Sequence, residues 1–339
     1  MREDLNDLPP AAGVMKILMG LVASSAVSAV ARLGIPDHVD GGPIAVEELA
    51  KKVGAQPDLL FRLMRATSSL GVLAETSDGK WRQTPLSGVL TTNAPATLRD
   101  VAIMFADDWH LRTIGSLHET VRTGELATDR IYGMGVFDYF KSAPEASGNF
   151  NRAMTSFSTA EASAIANAYD FSGINCLTEI AGGHGLFLAT ILERYPVMTA
   201  TLLELPQVAA ATGNGPLSRL AGRVKVVEGD MFETVPPGAD AYIMKRIIHD
   251  WSDQRSLEIL SACRAGVADG GRLLVVDSVV PPGTSFSPIK FMDLIMMLFS
   301  GGKERTEDEF QGLFAASGWR LERIIPTASP LSIVEGVPA

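Results

Sequence analysis

"LTEIAGGHGLFLATILERYP", residues 177 to 196, passes from an apolar run through three glycines into a helical pattern. Such a strand, turn and helix is the opening unit of an open α/β sheet. Gly182, Gly183 and Gly185 can take backbone angles closed to other residues and let a ligand approach the main chain. In sheets of this kind ligands sit outside the carboxyl ends of the strands, where this loop lies. The dinucleotide fingerprint asks for Gly or Ala where Leu188 stands, so a nicotinamide cofactor is disfavoured.

Outward from this loop, "CLTEIA", "ATLLEL", "RVKVVEGD", "AYIMKRII" and "GRLLVVDSVV" are short apolar runs separated by helical stretches. That alternation predicts a parallel α/β sheet covered on both faces. The second run ends in Glu204, nineteen residues beyond Gly185, where a carboxylate can accept both hydroxyls of a ribose. The third ends in Asp230, placed to accept from an adenine amino group with Met231 against the ring. Either acid alone reads as a solvated strand-end carboxylate. Three consecutive strands ending glycine-rich, acid, acid predict a nucleoside site.

The remainder of the chain narrows the partners. The 339 residues allow two domains, and 46% hydrophobic with 20% charged residues describes a globular protein. A net charge of −10 argues against a nucleic-acid partner. Two cysteines, Cys176 and Cys263, suggest no disulfide framework and fit a reducing cytoplasm. The stretch 15–35 is apolar, but Ile17 to Ala31 falls short of the ~20 residues a membrane span requires, and the residues before it are acidic where a signal peptide is basic. It reads as a helix buried on most sides, with another subunit as one candidate cover. Residues 44–86 read as helix, turn, helix and a hairpin around Ser77-Asp78-Gly79, a winged-helix pattern. Residues 1–95 carry 9 Lys/Arg against 10 Asp/Glu, so the module lacks the basic excess of a DNA binder and reads as a dimerisation module. Residues 97–170 look helical. The expected division is a winged-helix-like dimerisation domain (1–96), a helical connector contributing to the active site (97–170) and the α/β domain (171–339).

The ordered motifs "FNRAMTSFS", "YDFSG", "GGHG", "ELPQV", "GDMFE", "KRIIHDWSD" and "GGKERTEDEF" resemble those of the S-adenosylmethionine-dependent small-molecule O-methyltransferases, the family of plant caffeate and flavonoid enzymes and bacterial polyketide relatives. The resemblance covers nearly the whole chain. It implies a Rossmann-like methyltransferase domain, a homodimer joined through the N-terminal winged helix, S-adenosyl-L-methionine as donor with S-adenosyl-L-homocysteine as product, and a small aromatic acceptor. The chain departs from the family where Glu179, Ala181 and Glu204 stand in place of Asp, Gly and Asp. Glu204 keeps the carboxylate, and Ala181 is expected to be tolerated before the tightest part of the loop.

By that resemblance, His249 in "YIMKRIIHDWSD" is the general base, flanked by Asp277 and Glu304. A phenol with a pKa of about 10 is mostly un-ionised at neutral pH, and an imidazole near ~6.5 can take its proton as the oxygen attacks. The resemblance also puts Ser158, Leu205, Lys245 and Asp250 at the cofactor and Met154, Phe291, Met292 and Met296 at the acceptor. From composition alone a lone strand-end histidine is a packing or capping residue, and Met292 with Met296 would be core. "HDWSD" fits no standard zinc spacing, so no metal is expected. Asp250 or Ser252 could equally cap the following helix. Two other readings stay open at this point: a relative that keeps the cofactor but hydroxylates or decarboxylates, and a winged-helix regulator that senses a ligand.

Overall fold

The computed structural model describes residues 8–210, 212–220 and 222–339. They fall into two compact units, one formed by the described residues up to Arg112 with Phe140–Phe157, the other by Thr113–Tyr139 with Ser158–Ala339.

The first unit begins with the helix Pro10–Arg32, whose proline sits where a helix needs no N–H donor. Only Gly13, Ser28, Val30 and Ala31 of this helix are buried within the chain. Met15, Ile17, Leu18, Met19, Leu21 and Val22 are all at least 50% exposed, so the expected burial on most sides is absent within one chain. By length and composition the helix could cross a membrane. The helices Val46–Val53 and Pro57–Ser69 follow, the former closed by Gly54 in the left-handed conformation. Strands β1 (Leu73–Glu75) and β2 (Trp81–Gln83) form the antiparallel hairpin, and Ile44 bridges to Trp81. Trp81, Met64 and Leu49 are fully buried at the centre of this unit.

The second unit is built on a seven-stranded sheet. Its strands are β3 (Cys176–Ile180), β4 (Thr199–Glu204), β5 (Val224–Glu228), β6 (Ala241–Lys245), β7 (Arg272–Asp277), β8 (Trp319–Pro326) and β9 (Ser332–Pro338). Their spatial order is β5-β4-β3-β6-β7-β9-β8. The five strands read from the sequence are parallel to one another, whereas β9 pairs antiparallel with β7, and β8 antiparallel with β9. The parallel sheet expected from those five runs is present, and two further antiparallel strands extend it into a mixed sheet. Strand order reverses between β3 and β6, so the crevice for a ligand opens at their carboxyl ends. Both faces are covered: Phe187, Ile191 and Leu192 pack on one side, Ile259, Leu260 and Phe314 on the other. Each such side chain, fully buried, contributes about 1.5–3 kcal/mol.

Candidate active site

The glycine loop follows β3 directly. A Cβ on Gly182 would collide with the Glu179 carboxylate, and one on Gly185 with the Leu217 side chain, while Gly185 also has φ +77° at the start of the helix Leu186–Arg194. Gly183 lies at φ +61°, so sterics explain all three glycines. Ala181, expected to be harmless, lies at φ 52°, a left-handed position that costs a residue with a Cβ about 1–2 kcal/mol.

Glu204 closes the loop from the end of β4. Its Oε1 accepts from the Gly183 N–H at 2.7 Å and its Oε2 from the Leu205 N–H at 2.8 Å. Each oxygen keeps a further lone pair, and burial holds the carboxyl above its usual range. Asp230, beyond β5, accepts the Phe232 N–H through Oδ1 at 2.9 Å, an Asx turn that fixes the carboxylate beside Met231. Beneath the loop lies Glu179, 1% exposed and raised to about 7, chiefly by burial; its Oε2 has no hydrogen-bond partner among the described residues.

At the end of β6 the structure brings Lys245 to Ser158. The ammonium donates to Ser158 Oγ at 3.2 Å and stands 3.5 Å from the Glu161 carboxylate; burial pulls its pKa down. The neighbouring Arg246, at φ 56°, donates to both Glu161 oxygens from Nε at 3.2 Å. Neither Glu161 nor Arg246 was singled out in the sequence. An acid three residues after Ser158 on a helix, in register with the "KR" ending a strand, is the signal that would have found them.

Residues 248–250 form one tight turn, with His249 7% exposed. Its Nδ1 is 2.9 Å from Glu304 Oε1, and its Nε2 lies 3.7 Å from Asp250 Oδ1. Asp277, 1% exposed at the end of β7, has no hydrogen-bond partner for either oxygen among the described residues, and burial raises it to about 7. Burial alone would lower the pKa of His249, but the Asp250 charge, the Glu304 hydrogen bond and the Asp277 charge outweigh it and raise the imidazole to about 9. The three residues expected together are together. The imidazole, however, is a stronger base than the unperturbed ~6.5 group expected. Ser252, not Asp250, caps the next helix by accepting the Arg255 N–H.

Against this cluster lies the helix Pro288–Phe299, whose Asp293 accepts the Glu304 N–H at 2.9 Å. Met292 and Met296 of that helix are half-buried, one turn apart. Phe291 is 56% exposed and packs on Phe286, itself on the surface. Met154 falls in the first unit and is not part of the cluster the second unit assembles.

Comparisons with known proteins identify the family. Residues 115–320 match the O-methyltransferase domain model and residues 15–93 the O-methyltransferase dimerisation domain model. The chain is 40% identical to the phenazine O-methyltransferase PhzM of Lysobacter antibioticus, over 98% of this chain and 97% of that one. It is 37% identical to the mitomycin biosynthesis 6-O-methyltransferase of Streptomyces lavendulae, over 95% and 93% of the two chains. The crystal structure of CalO1, a methyltransferase of calicheamicin biosynthesis in its S-adenosylhomocysteine-bound form, superposes with a TM-score of 0.89 at 34% identity, covering 97% of this chain and 98% of that one. A glycine loop after the first strand, with carboxylates at the next two strand ends, suits an adenosyl group lying across the crevice. With the family model covering the whole cluster around His249, the chain belongs to the S-adenosylmethionine-dependent O-methyltransferases and carries their dimerisation domain.

Proposed function

We propose that the enzyme methylates a hydroxyl of a small, flat aromatic acceptor and that His249 takes the hydroxyl proton. Relatives named for phenazine and mitomycin, both fused-ring compounds, support the acceptor class. The donor supplies a methyl group already activated on a sulfonium. What remains for the chain is to align the acceptor oxygen and remove its proton. Glu204 would hold the ribose, Asp230 and Met231 the adenine, and Lys245 with Ser158 and Asp250 the methionine end, with the backbone of Gly182, Gly183, Gly185 and Leu205 closing over it. Phe291, Met292 and Met296 are proposed at the acceptor, where thioethers adapt to a ring face.

The observation that carries the assignment of the base is the His249–Glu304 bond. A carboxylate on Nδ1 selects the tautomer with its proton there and leaves the Nε2 lone pair to receive one. The carboxylates around the ring then stabilise the imidazolium that forms. An imidazole near 9 matches a phenol near ~10 within about one unit, so the transfer is almost level in energy. His249→Gln should reduce transfer of labelled methyl by about 10²–10⁴-fold while calorimetric binding of S-adenosylhomocysteine survives. Transfer equal to wild type would remove His249 from the mechanism.

The exposed apolar face of Pro10–Arg32 lies within the matched dimerisation domain, and we propose that a second copy of the chain covers it in a homodimer. Both cysteines are free thiols, in keeping with a reducing cytoplasm.

A further inference from the structure

We propose that Arg305 is the positioning residue of the proton transfer: it fixes the main chain on either side of His249 while its neighbour Glu304 fixes the ring. The proposal rests on the reading of His249 as the base.

The turn that carries His249 is short, and its own hydrogen bonds are few: Asp250 N–H to Ile247 and Trp251 N–H to Ile248. Its stiffness has to come from outside. Arg305 is 1% exposed. Its Nη1 donates to the Ile248 carbonyl at 2.9 Å, and its Nη2 to the Trp251 carbonyl at 3.0 Å and to Ser256 Oγ at 3.2 Å. Nε and Nη2 share Asp253 Oδ1 at 3.1 and 2.8 Å, which balances the charge. The planar fork thus reaches the carbonyl before His249 and the carbonyl two residues after it. An ammonium has no such fork.

The segment that delivers Arg305 is itself held. Arg305 O accepts the Val280 N–H at 2.9 Å, just past the Asp277 strand end, and Glu304 N–H bonds to Asp293. It also lies as close as a main chain can: a Cβ on Gly302 would collide with the His249 carbonyl oxygen. Residues 302–305 therefore hold both the imidazole and the peptide that bears it.

Capping of the helix Asp253–Gly266 does not account for the arrangement. Ser252 already supplies that cap, and a guanidinium, which only donates, cannot satisfy helix N–H groups; its bonds to main chain include the Ile248 and Trp251 carbonyls. Burying a full charge is unfavourable unless its partners are well placed; here Asp253 and Ser256 of the following helix hold the guanidinium while it holds the Ile248 and Trp251 carbonyls on either side of His249.

A double-mutant cycle with Arg305→Lys and His249→Gln tests the proposal. His249→Gln alone reports on the base. With His249 present, Arg305→Lys should lower kcat by about 30–100-fold, the scale of a displacement near 1 Å, with KM for donor and acceptor within about threefold of wild type. On the His249→Gln background the same substitution should cost less than about threefold, because residues that act as one unit are not additive. An equal loss in both backgrounds would overturn the proposal. So would loss of S-adenosylhomocysteine binding in parallel with kcat, which would mark Arg305 as holding the fold. If Arg305→Lys does not fold, Gly302→Ala enters the same cycle from the other side of the turn, with the same expectation and the same overturning result. Wild-type activity in His249→Gln would defeat the base reading on its own, before Arg305 enters.

Discussion

His249 is buried among carboxylates, and this sets the pH range in which it can accept a proton. With its pKa near 9, about 1% of the imidazole is neutral at pH 7 in the free enzyme. If neutral His249 is required, kcat/KM should rise about tenfold per pH unit and level off near pH 9, which a profile over pH 6 to 10 would reveal. Asp277→Asn removes one of the charges that raise the imidazole, so the limb should move to lower pH by about one unit; an unmoved limb would dissociate Asp277 from the titration. Stability runs in the opposite direction to activity. A raised folded-state pKa favours the protonated fold, so this contribution is complete below pH 6.5 and is lost as pH rises through 9. The sequence made His249, Asp277 and Glu304 legible only through the family's motifs. Asp250, the next residue, is the one local sign of the raised basicity, and nothing local to His249 reveals a Glu304 partner 55 residues away. Glu161 and Arg246 stayed hidden for the same reason: their pairing spans 85 residues.

At the level of single elements, the loop after β3 holds a small strain. Ala181 occupies a left-handed backbone position that glycine takes without penalty. Ala181→Gly should raise stability by about 0.5–1 kcal/mol, the relief of strain less the added entropy of the unfolded chain. A higher urea midpoint at unchanged slope would register it, and a lower midpoint would contradict it. Four of the five parallel strands, β3, β4, β6 and β7, were legible because they are largely buried and read as apolar runs, while the edge strand β5, with no buried residue, was legible from its valines alone. Strands β8 and β9 were not. The first alternates exposed Arg320, Arg323 and Glu322 with apolar residues, and the second carries Glu335 at 0% exposure in its middle. Glu335 is tolerated there because Arg272, Arg323 and the Tyr169 hydroxyl all bond to it, which a single stretch of sequence cannot show.

For the molecule as a whole, the proposal that a second copy covers the apolar face of Pro10–Arg32 is open to a direct test. Leu18 and Leu21 are 58% and 60% exposed in the single chain. Leu18→Glu combined with Leu21→Glu should convert a homodimer to monomers in sedimentation at micromolar concentration; a dimer that persists would put its interface elsewhere. The sheet imposes an order on synthesis. Strand β9 follows β8 in the sequence yet lies between β7 and β8 in space. As the polypeptide leaves the ribosome, β8 emerges with no neighbour to join, and the open edge of β7 stays unpaired until Ser332–Pro338 appears. Translation through the last strand is therefore the moment at which the α/β unit can close, and any pause before it leaves a nascent chain exposed to edge-to-edge association.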